Sequence, residues 1–285
     1  MSKGWRTRQL DATEIALVAV LVTVIGAALV SSRYAQRSWS ADSAAQESAR
    51  LKDLYGPARH SENEEEWIIR DYFQDRRGGT FVDVGANHYK DYSNTFYLEA
   101  ALGWSGIAVD PQVGFAADYR TYRPRTRFFS FFVSDTSDAN ITFHVTQGNP
   151  LVSSADQGFA ERAGRDVKDP VYTSNAVSVP TIRLSDLLDR AGVSHFDLLS
   201  VDVELAEPKV LAGFDIARFR PSLVCIEAHP QVRQQILDYF AAHGYVVLGR
   251  YLRADLANLY FGPVGLTRPT PPTVPGTVPD TATQK

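Results

Sequence analysis

Short apolar runs alternate with helix-like stretches through the middle of this chain, and that alternation restricts the fold more than any other feature. Runs rich in β-branched and aromatic residues occur at Thr80–Val84, Gly106–Asp110, Phe128–Val133, Phe196–Val201, Leu223–Glu227 and Tyr245–Leu248. Helix-like stretches at Glu64–Gln74, Asn94–Leu102, Gly114–Tyr122, Leu184–Ala191, Glu207–Ala212 and Gln231–His243 separate most of them. Strands this continuously apolar must be covered on both faces, which a mainly parallel sheet flanked by helices achieves. The expected fold is therefore α/β, a doubly wound, Rossmann-like domain over residues 57–263. No internal repeat is present.

The ends have a different character. Ile15–Val30 carries no charge and is broken only by Thr23 and Gly26, slightly short of the ~20 residues a spanning helix wants. It is read as a transmembrane anchor over residues 15–32, after a short flank at 1–14. The opposing reading is a cleavable signal peptide, since Lys3, Arg6 and Arg8 precede the apolar run. Arg33 and Arg37 follow it, so charge bias alone does not orient the segment. Residues 33–56, polar and rich in Ser, Ala and Gln, read as a tether. Residues 264–285, with Pro269, Pro271, Pro272, Pro275 and Pro279 among threonines, read as a disordered tail. A net charge of -4 gives no basic field for nucleic acid. The single cysteine, Cys225, excludes an intramolecular disulfide framework and a cysteine-based zinc site.

In open α/β sheets ligands sit beyond the carboxyl ends of the strands, where strand order reverses. The first apolar strand ends Asp83-Val84 and turns through Gly85-Ala86-Asn87, and a glycine there lets backbone approach a ligand closely. The second strand ends in Asp110, where a nucleoside ribose is usually gripped. A dinucleotide site would want Gly-x-Gly-x-x-Gly, whereas His88, Tyr89 and Lys90 follow here. That disfavours a nicotinamide-dependent oxidoreductase. An acid-x-Gly turn and an acid ending the next strand suit S-adenosylmethionine, which has ribose and adenine but no phosphate.

Phe81–Asn87, then Ser93-Asn94-Thr95, Leu98-Glu99 and Gly103–Ile107, resembles the FkbM family of methyltransferases. So do Leu199–Glu204 with Glu207, Val210–Asp215, the Ser61–Ile69 segment, Pro221–Glu227 and Asn258–Phe261. The resemblance implies a class I methyltransferase fold, S-adenosylmethionine as donor, and O-methylation of sugars or related natural products. It implies cofactor roles for Asp83, Gly85, Asn87 and Asp110, with Ser134 and Asp135 beside adenine. It also places Asp202 and Glu204 facing the acceptor. Two positions depart from the family pattern: His88-Tyr89 stands where a second glycine is usual, and Leu205 replaces the glycine of Asp-Val-Glu-Gly-x-Glu.

Methyl transfer to a hydroxyl needs alignment and removal of the acceptor's proton. Asp202, Glu204 and His229 are the candidate groups, with His88 a weaker one. Asp202 and Glu204 alternate along the chain, so an extended strand would aim both at one face. Such a pair raises one pKa into base range or holds a divalent cation. The plainer alternative is that Glu204 and Glu207 cap the helix begun by Pro208. Glu227 is either a site residue or a buried partner of Arg183. Phe128, Phe129, Phe131, Phe132 and Trp104 are expected in the core rather than stacking on bases. Residues 147–176, rich in small polar residues, form an insert that could select the acceptor.

The leading reading is an O-methyltransferase for a glycan, glycolipid or related hydroxylated metabolite, held at a membrane through residues 15–32. Because the donor is made in the cytosol, the catalytic domain is expected on the cytoplasmic side. The alternative is a catalytically inactive, membrane-anchored interaction module that keeps the fold, as Tyr89 and Leu205 suggest.

Overall fold

The computed structural model of the chain describes residues 45–146, 153–166 and 174–265. In chain order the strands are β1 (Thr80–Val84), β2 (Ser105–Val109), β3 (Thr126–Phe129), β4 (Phe132–Ser134), β5 (Asn140–Thr146), β6 (Ser174–Arg183), β7 (Leu198–Val201), β8 (Leu223–Glu227), β9 (Tyr245–Val247) and β10 (Asn258–Pro263). The helices are α1 (residues 45–55), α2 (Glu65–Phe73), α3 (Phe96–Ala100), α4 (Ala116–Tyr122), α5 (Gln157–Asp166), α6 (Leu184–Arg190), α7 (Glu207–Ala212), α8 (Ile216–Phe219) and α9 (Arg233–Ala242).

Seven strands form one sheet in the order β3-β2-β1-β7-β8-β10-β9. Parallel pairing joins β3 to β2, β2 to β1, β1 to β7 and β7 to β8, while β10 runs antiparallel between β8 and β9. Strand alternation then sorts the core into two layers. Val82, Val84, Ile107, Val109, Leu199, Val201, Val224 and Ile226 face one side, under Leu187, Leu211, Phe219, Ile236 and Phe240 of the later helices. Phe81, Leu198, Leu223, Cys225 and Tyr260 face the other, under Leu51, Trp67, Ile68 and Leu98. Trp104 is fully buried in that second layer and its indole N–H donates to the Arg76 carbonyl. The doubly wound reading therefore holds.

Two expectations need correction. Part of the stretch read as a tether is helix α1, because Leu51 inserts among Trp67 and Ile68 instead of staying in water. Phe128–Val133 is two strands, not one. The chain leaves the main sheet after Phe129, with Ser130 Oγ bonded to the Pro111 carbonyl, and β4 pairs with β6 in a separate sheet of order β4-β6-β5. The insert follows β5, which pairs with β6 over its whole length, and its described residues carry α5 and the start of β6. Residues 15–32, with the flank before them, and nearly all of the proline-rich tail lie outside the described residues. Among the described residues no helix is long and apolar enough to cross a membrane.

Two buried polar clusters tie the layers together. Arg123, 1% exposed, bonds Glu99 through Nε at 2.6 Å and donates to the Tyr89 and Thr95 carbonyls. Removing one partner of a buried ion pair strands the other charge, typically at ~3–5 kcal/mol. Arg123→Met is thus expected to lose about that much in urea unfolding; a loss below ~1 kcal/mol would show that Glu99 is satisfied without it.

The second cluster is Glu65, which accepts from the Asn63 amide at 2.7 Å and Asn258 Nδ2 at 2.8 Å. Burial first, then the charge of Asp255, pushes its carboxyl from 4.5 up to about 7. The folded chain therefore holds this proton longer than the unfolded chain, so stability falls as pH rises through that interval. Glu65→Gln should flatten the decline in Tm between about pH 5 and 8. An unaltered pH profile would place the slope elsewhere.

Candidate functional site

The chain builds β1, β2 and β3 to one side and then returns to place β7 on the other side of β1. Strand order reverses between β1 and β7, and a crevice opens beyond their carboxyl ends. This cleft is lined among others by Gly85, Asn87, Asp110, Phe132, Asp202 and Glu204.

Close approach of two strand ends explains Gly85. It sits at φ +83°, and a Cβ there would lie 1.7 Å from the Asp202 carbonyl oxygen. The Gly85 and Ala86 amides donate to the Val109 carbonyl, while the Asp202 amide donates to Val84. The turn is thus pinned to both neighbouring strands. Asn87 follows at φ +44°, and its amide donates to Asp110 Oδ2 at 3.1 Å. Asp110 Oδ1 accepts from the Gln112 amide at 2.8 Å. Burial pushes the Asp110 carboxyl up to about 6, against these two backbone bonds.

Other expected cofactor contacts fall elsewhere. Asp83 is buried beneath the turn, accepting from Thr95 Oγ1 at 2.7 Å, and burial raises its pKa. It braces α3 and is absent from the cleft lining. Ser134 and Asp135 are also absent. Ser134 is buried, with its carbonyl 2.1 Å from where a Gly213 Cβ would sit, and Asp135 is exposed. The apolar wall comes instead from Phe131, Phe132, Val133 and, from β5, Phe143. The early end of the Phe128–Val133 run moved that wall forward in sequence.

The remaining acidic groups and His229 gather beside one end of the cleft, where only Asp202 and Glu204 of them line it. Asp202 opens onto the cleft yet is walled by protein, which raises its pKa well above the usual carboxylate range, helped by the charges of Glu227 and Glu204. Glu204 follows β7 at φ +53° and Leu205 at φ +77°. His229 Nε2 lies 3.0 Å from Glu227 Oε1 and 3.4 Å from Glu204 Oε2. Those bonds, to Glu204 and then Glu227, push the imidazole up to about 10, because either carboxylate favours a proton, or another positive charge, at Nε2. Burial, opposed by His229, raises Glu204 to about 7. Burial and the charge of Glu227 raise Glu207 to about 7.

Glu227 pairs with His229, and Arg183 is exposed with its amide bonded to Ser137, so the expected Arg183 partnership is replaced. Neither Glu204 nor Glu207 caps α7 through its side chain; Glu207 Oε1 accepts from the Val203 amide at 3.2 Å. His88 bonds the Lys90 and Asp91 amides within its own loop and does not line the cleft. The insert reaches the site: Ser153 lines the cleft, Ser154 Oγ donates to the Glu204 carbonyl at 3.0 Å, and the Phe159 ring stands edge-on to His229. Ser153 and Phe159 were missed by sequence reasoning, because nothing local marks an insert residue as facing a strand end.

The two departures stay out of the way. Tyr89 stacks on Tyr122 with ring centres 4.7 Å apart, and Leu205 packs against the core below the sheet end. Neither lines the cleft.

This sheet order, with its glycine turn and acid-bearing strand ends at the switch point, defines a Rossmann-like methyltransferase fold. The methyltransferase FkbM domain model matches residues 83–247, more than half of the chain, and the chain belongs to that family. It is similar to a TehB-like S-adenosylmethionine-dependent methyltransferase from Corynebacterium glutamicum at 13% identity, covering 82% of this chain and 98% of that one, TM-score 0.38. It is also similar to precorrin-6y C5,15-methyltransferase from Geobacter metallireducens at 10% identity, covering 64% and 71%, TM-score 0.37. A third likeness is to an S-adenosylmethionine-dependent methyltransferase from Geobacter sulfurreducens in complex with S-adenosyl-L-homocysteine, at 10% identity, 72% and 76% coverage, TM-score 0.34. Likenesses at that level add nothing to the family match and the sheet order. Among curated proteins, none matches the chain.

The cleft fits S-adenosylmethionine on its own terms. Gly85 lets the turn that borders the cleft pass against the Asp202 carbonyl, which any Cβ would strike. Phe131, Phe132 and Val133 offer an apolar face to adenine, and Asp110 sits between them and the turn. Asp202 and Glu204 offer negative charge to a ligand that is cationic at its methionine end.

Proposed function

We propose that the chain is an S-adenosylmethionine-dependent O-methyltransferase acting on a hydroxyl of a glycan, glycolipid or related metabolite. The observation that carries this reading is Asp202: a carboxylate just beyond the end of β7, open to a cleft it shares with the apolar Phe131, Phe132 and Val133, its pKa raised by burial. When bound, the donor supplies an electrophilic sulfonium methyl, so the site must mainly align the acceptor and remove its proton.

Asp202 takes that proton as the acceptor oxygen becomes nucleophilic. The donor's sulfonium charge, when bound, would favour its ionised form against the repulsion from Glu227 and Glu204. Glu204 is held between His229 and the Ser154 hydroxyl on its carbonyl, which fixes the loop beside Asp202. Phe143 of β5 and Ser153 of the insert line the cleft, where they would help shield the reacting oxygen from water. In this reading the apolar run at 15–32 anchors the domain on the cytoplasmic face of a membrane, where donor and lipid-linked acceptors meet. The placement of Tyr89 and Leu205 outside the cleft supports a competent site over an inactive module.

Full-length protein incubated with methyl-labelled S-adenosylmethionine and extracted glycans and glycolipids should give label in methyl ether linkage, visible as an O–CH3 resonance. Label found only on nitrogen would overturn the hydroxyl assignment. Donor binding without transfer to any acceptor of that extract would favour the inactive module.

A further inference from the structure

We infer that Glu204, Glu227 and His229 form a binding site for a divalent cation at the acidic end of the cleft. Register brings them together: β7 and β8 run parallel with Val201 opposite Ile226, so residues three beyond each pair meet at one sheet edge. One ligand atom from each of the three lies within 4.8 Å of the others.

The spacing is that of a coordination sphere. Metal–ligand bonds of about 2.1 Å put adjacent ligands about 3.0 Å apart in an octahedron and about 3.4 Å apart in a tetrahedron. His229 Nε2 lies 3.0 Å from Glu227 and 3.4 Å from Glu204. Hydrogen bonding alone serves this arrangement poorly, because one ring nitrogen carries at most one proton and two carboxylates converge on it. A cation satisfies all three atoms together.

A second observation is independent of those contacts. Glu207 is completely buried beside Glu227, and its Oε2 has no hydrogen-bond partner among the described residues; Glu227 Oε2 has none either. Buried carboxylate oxygens left bare are costly, and a nearby cation offsets that cost. Two carboxylates and one imidazole, all hard to borderline donors, suit Mn2+, with Mg2+ the abundant competitor.

The site adjoins Asp202 and the mouth of the insert, with Phe159 edge-on to His229. Resting on the O-methyltransferase reading, the cation's use would be to polarise the acceptor hydroxyl and ease its deprotonation by Asp202. It thereby narrows the acceptor class to molecules offering an oxygen ligand beside the methylated hydroxyl, such as a vicinal diol.

The test is titration of full-length protein with Mn2+, following the loss of the free-ion electron paramagnetic resonance signal. One ion per chain should bind, and His229→Ala and Glu227→Gln should each weaken it at least about tenfold, as loss of a ligand requires. Asp53→Asn, an exposed acid on α1, should change nothing. Glu227→Gln keeps side-chain size, so its effect is separable from misfolding, and circular dichroism checks both variants. No saturable binding at millimolar Mn2+, or binding unaltered in both variants, overturns the inference. Donor calorimetry on the same samples keeps the two claims apart. Donor binding without Mn2+ binding sinks only the cation site, and Mn2+ binding without donor binding sinks only the methyltransferase reading.

Discussion

Gly85→Ala is expected to abolish donor binding and to destabilise the domain by at least ~3 kcal/mol. Two costs add at this position. A left-handed conformation costs a non-glycine residue about 1–2 kcal/mol, and the new methyl group would stand 1.7 Å from the Asp202 carbonyl. Relief requires β1 and β7 to separate at the point where the Asp202 amide bonds the Val84 carbonyl. That movement displaces Asn87 and Asp202 together, so binding and stability should fall in the same variant. Urea unfolding gives the first quantity and calorimetry the second. A stable Gly85→Ala protein that still binds the donor would mean the turn does not form the floor of the site.

The second large effect is chemical. Asp202→Asn should lower kcat by ~10²–10⁴, the usual worth of a general base, while weakening donor binding far less, because Glu204 keeps its charge beside the donor. The amide is the same size and retains an acceptor oxygen, so the cleft's shape survives. Because the wild-type carboxyl is held above its ordinary range, activity should rise with pH through that raised pKa, and the variant should lose this limb. The coupling with Glu204 and Glu227 makes the limb a property of the cluster, not of one residue. An Asp202→Asn enzyme with full turnover would move the proton transfer to another group.

Much of the sheet was legible because strands covered on both faces are written as continuous apolar runs, as at Thr80–Val84 and Leu223–Glu227. The same property hid Asp83. In a strand buried on both sides, parity does not tell the ligand-facing side from the helix-facing one, and Asp83 turned to Thr95. β5 was passed over although Ile141, Phe143 and Val145 alternate with polar neighbours, the mark of a strand covered on one face. β6 carries Pro180, which obscured it. At the site, Gly85, Asn87, Asp110, Asp202 and Glu204 were readable as ends of predicted strands, and all five line the cleft. Convergence of Glu227 and His229 on Glu204 was not readable from spacing, since it depends on β7 and β8 being parallel neighbours in one register. The charge on His229 was equally hidden, because two carboxylates distant in sequence set it. Leu205 shows the limit from the other side. Its departure from a glycine pattern was plain, but only its backbone angle shows that the left-handed turn is kept and strained.

The cleft between β1 and β7 is the donor site in this reading. Calorimetric titration of the full-length protein with S-adenosylmethionine tests this most directly, with Gly85→Ala alongside. One site per chain, binding in the micromolar range and lost in the variant, is the result the account predicts. A folded wild-type protein giving no heat and no protection against thermal unfolding at millimolar S-adenosylmethionine would contradict it.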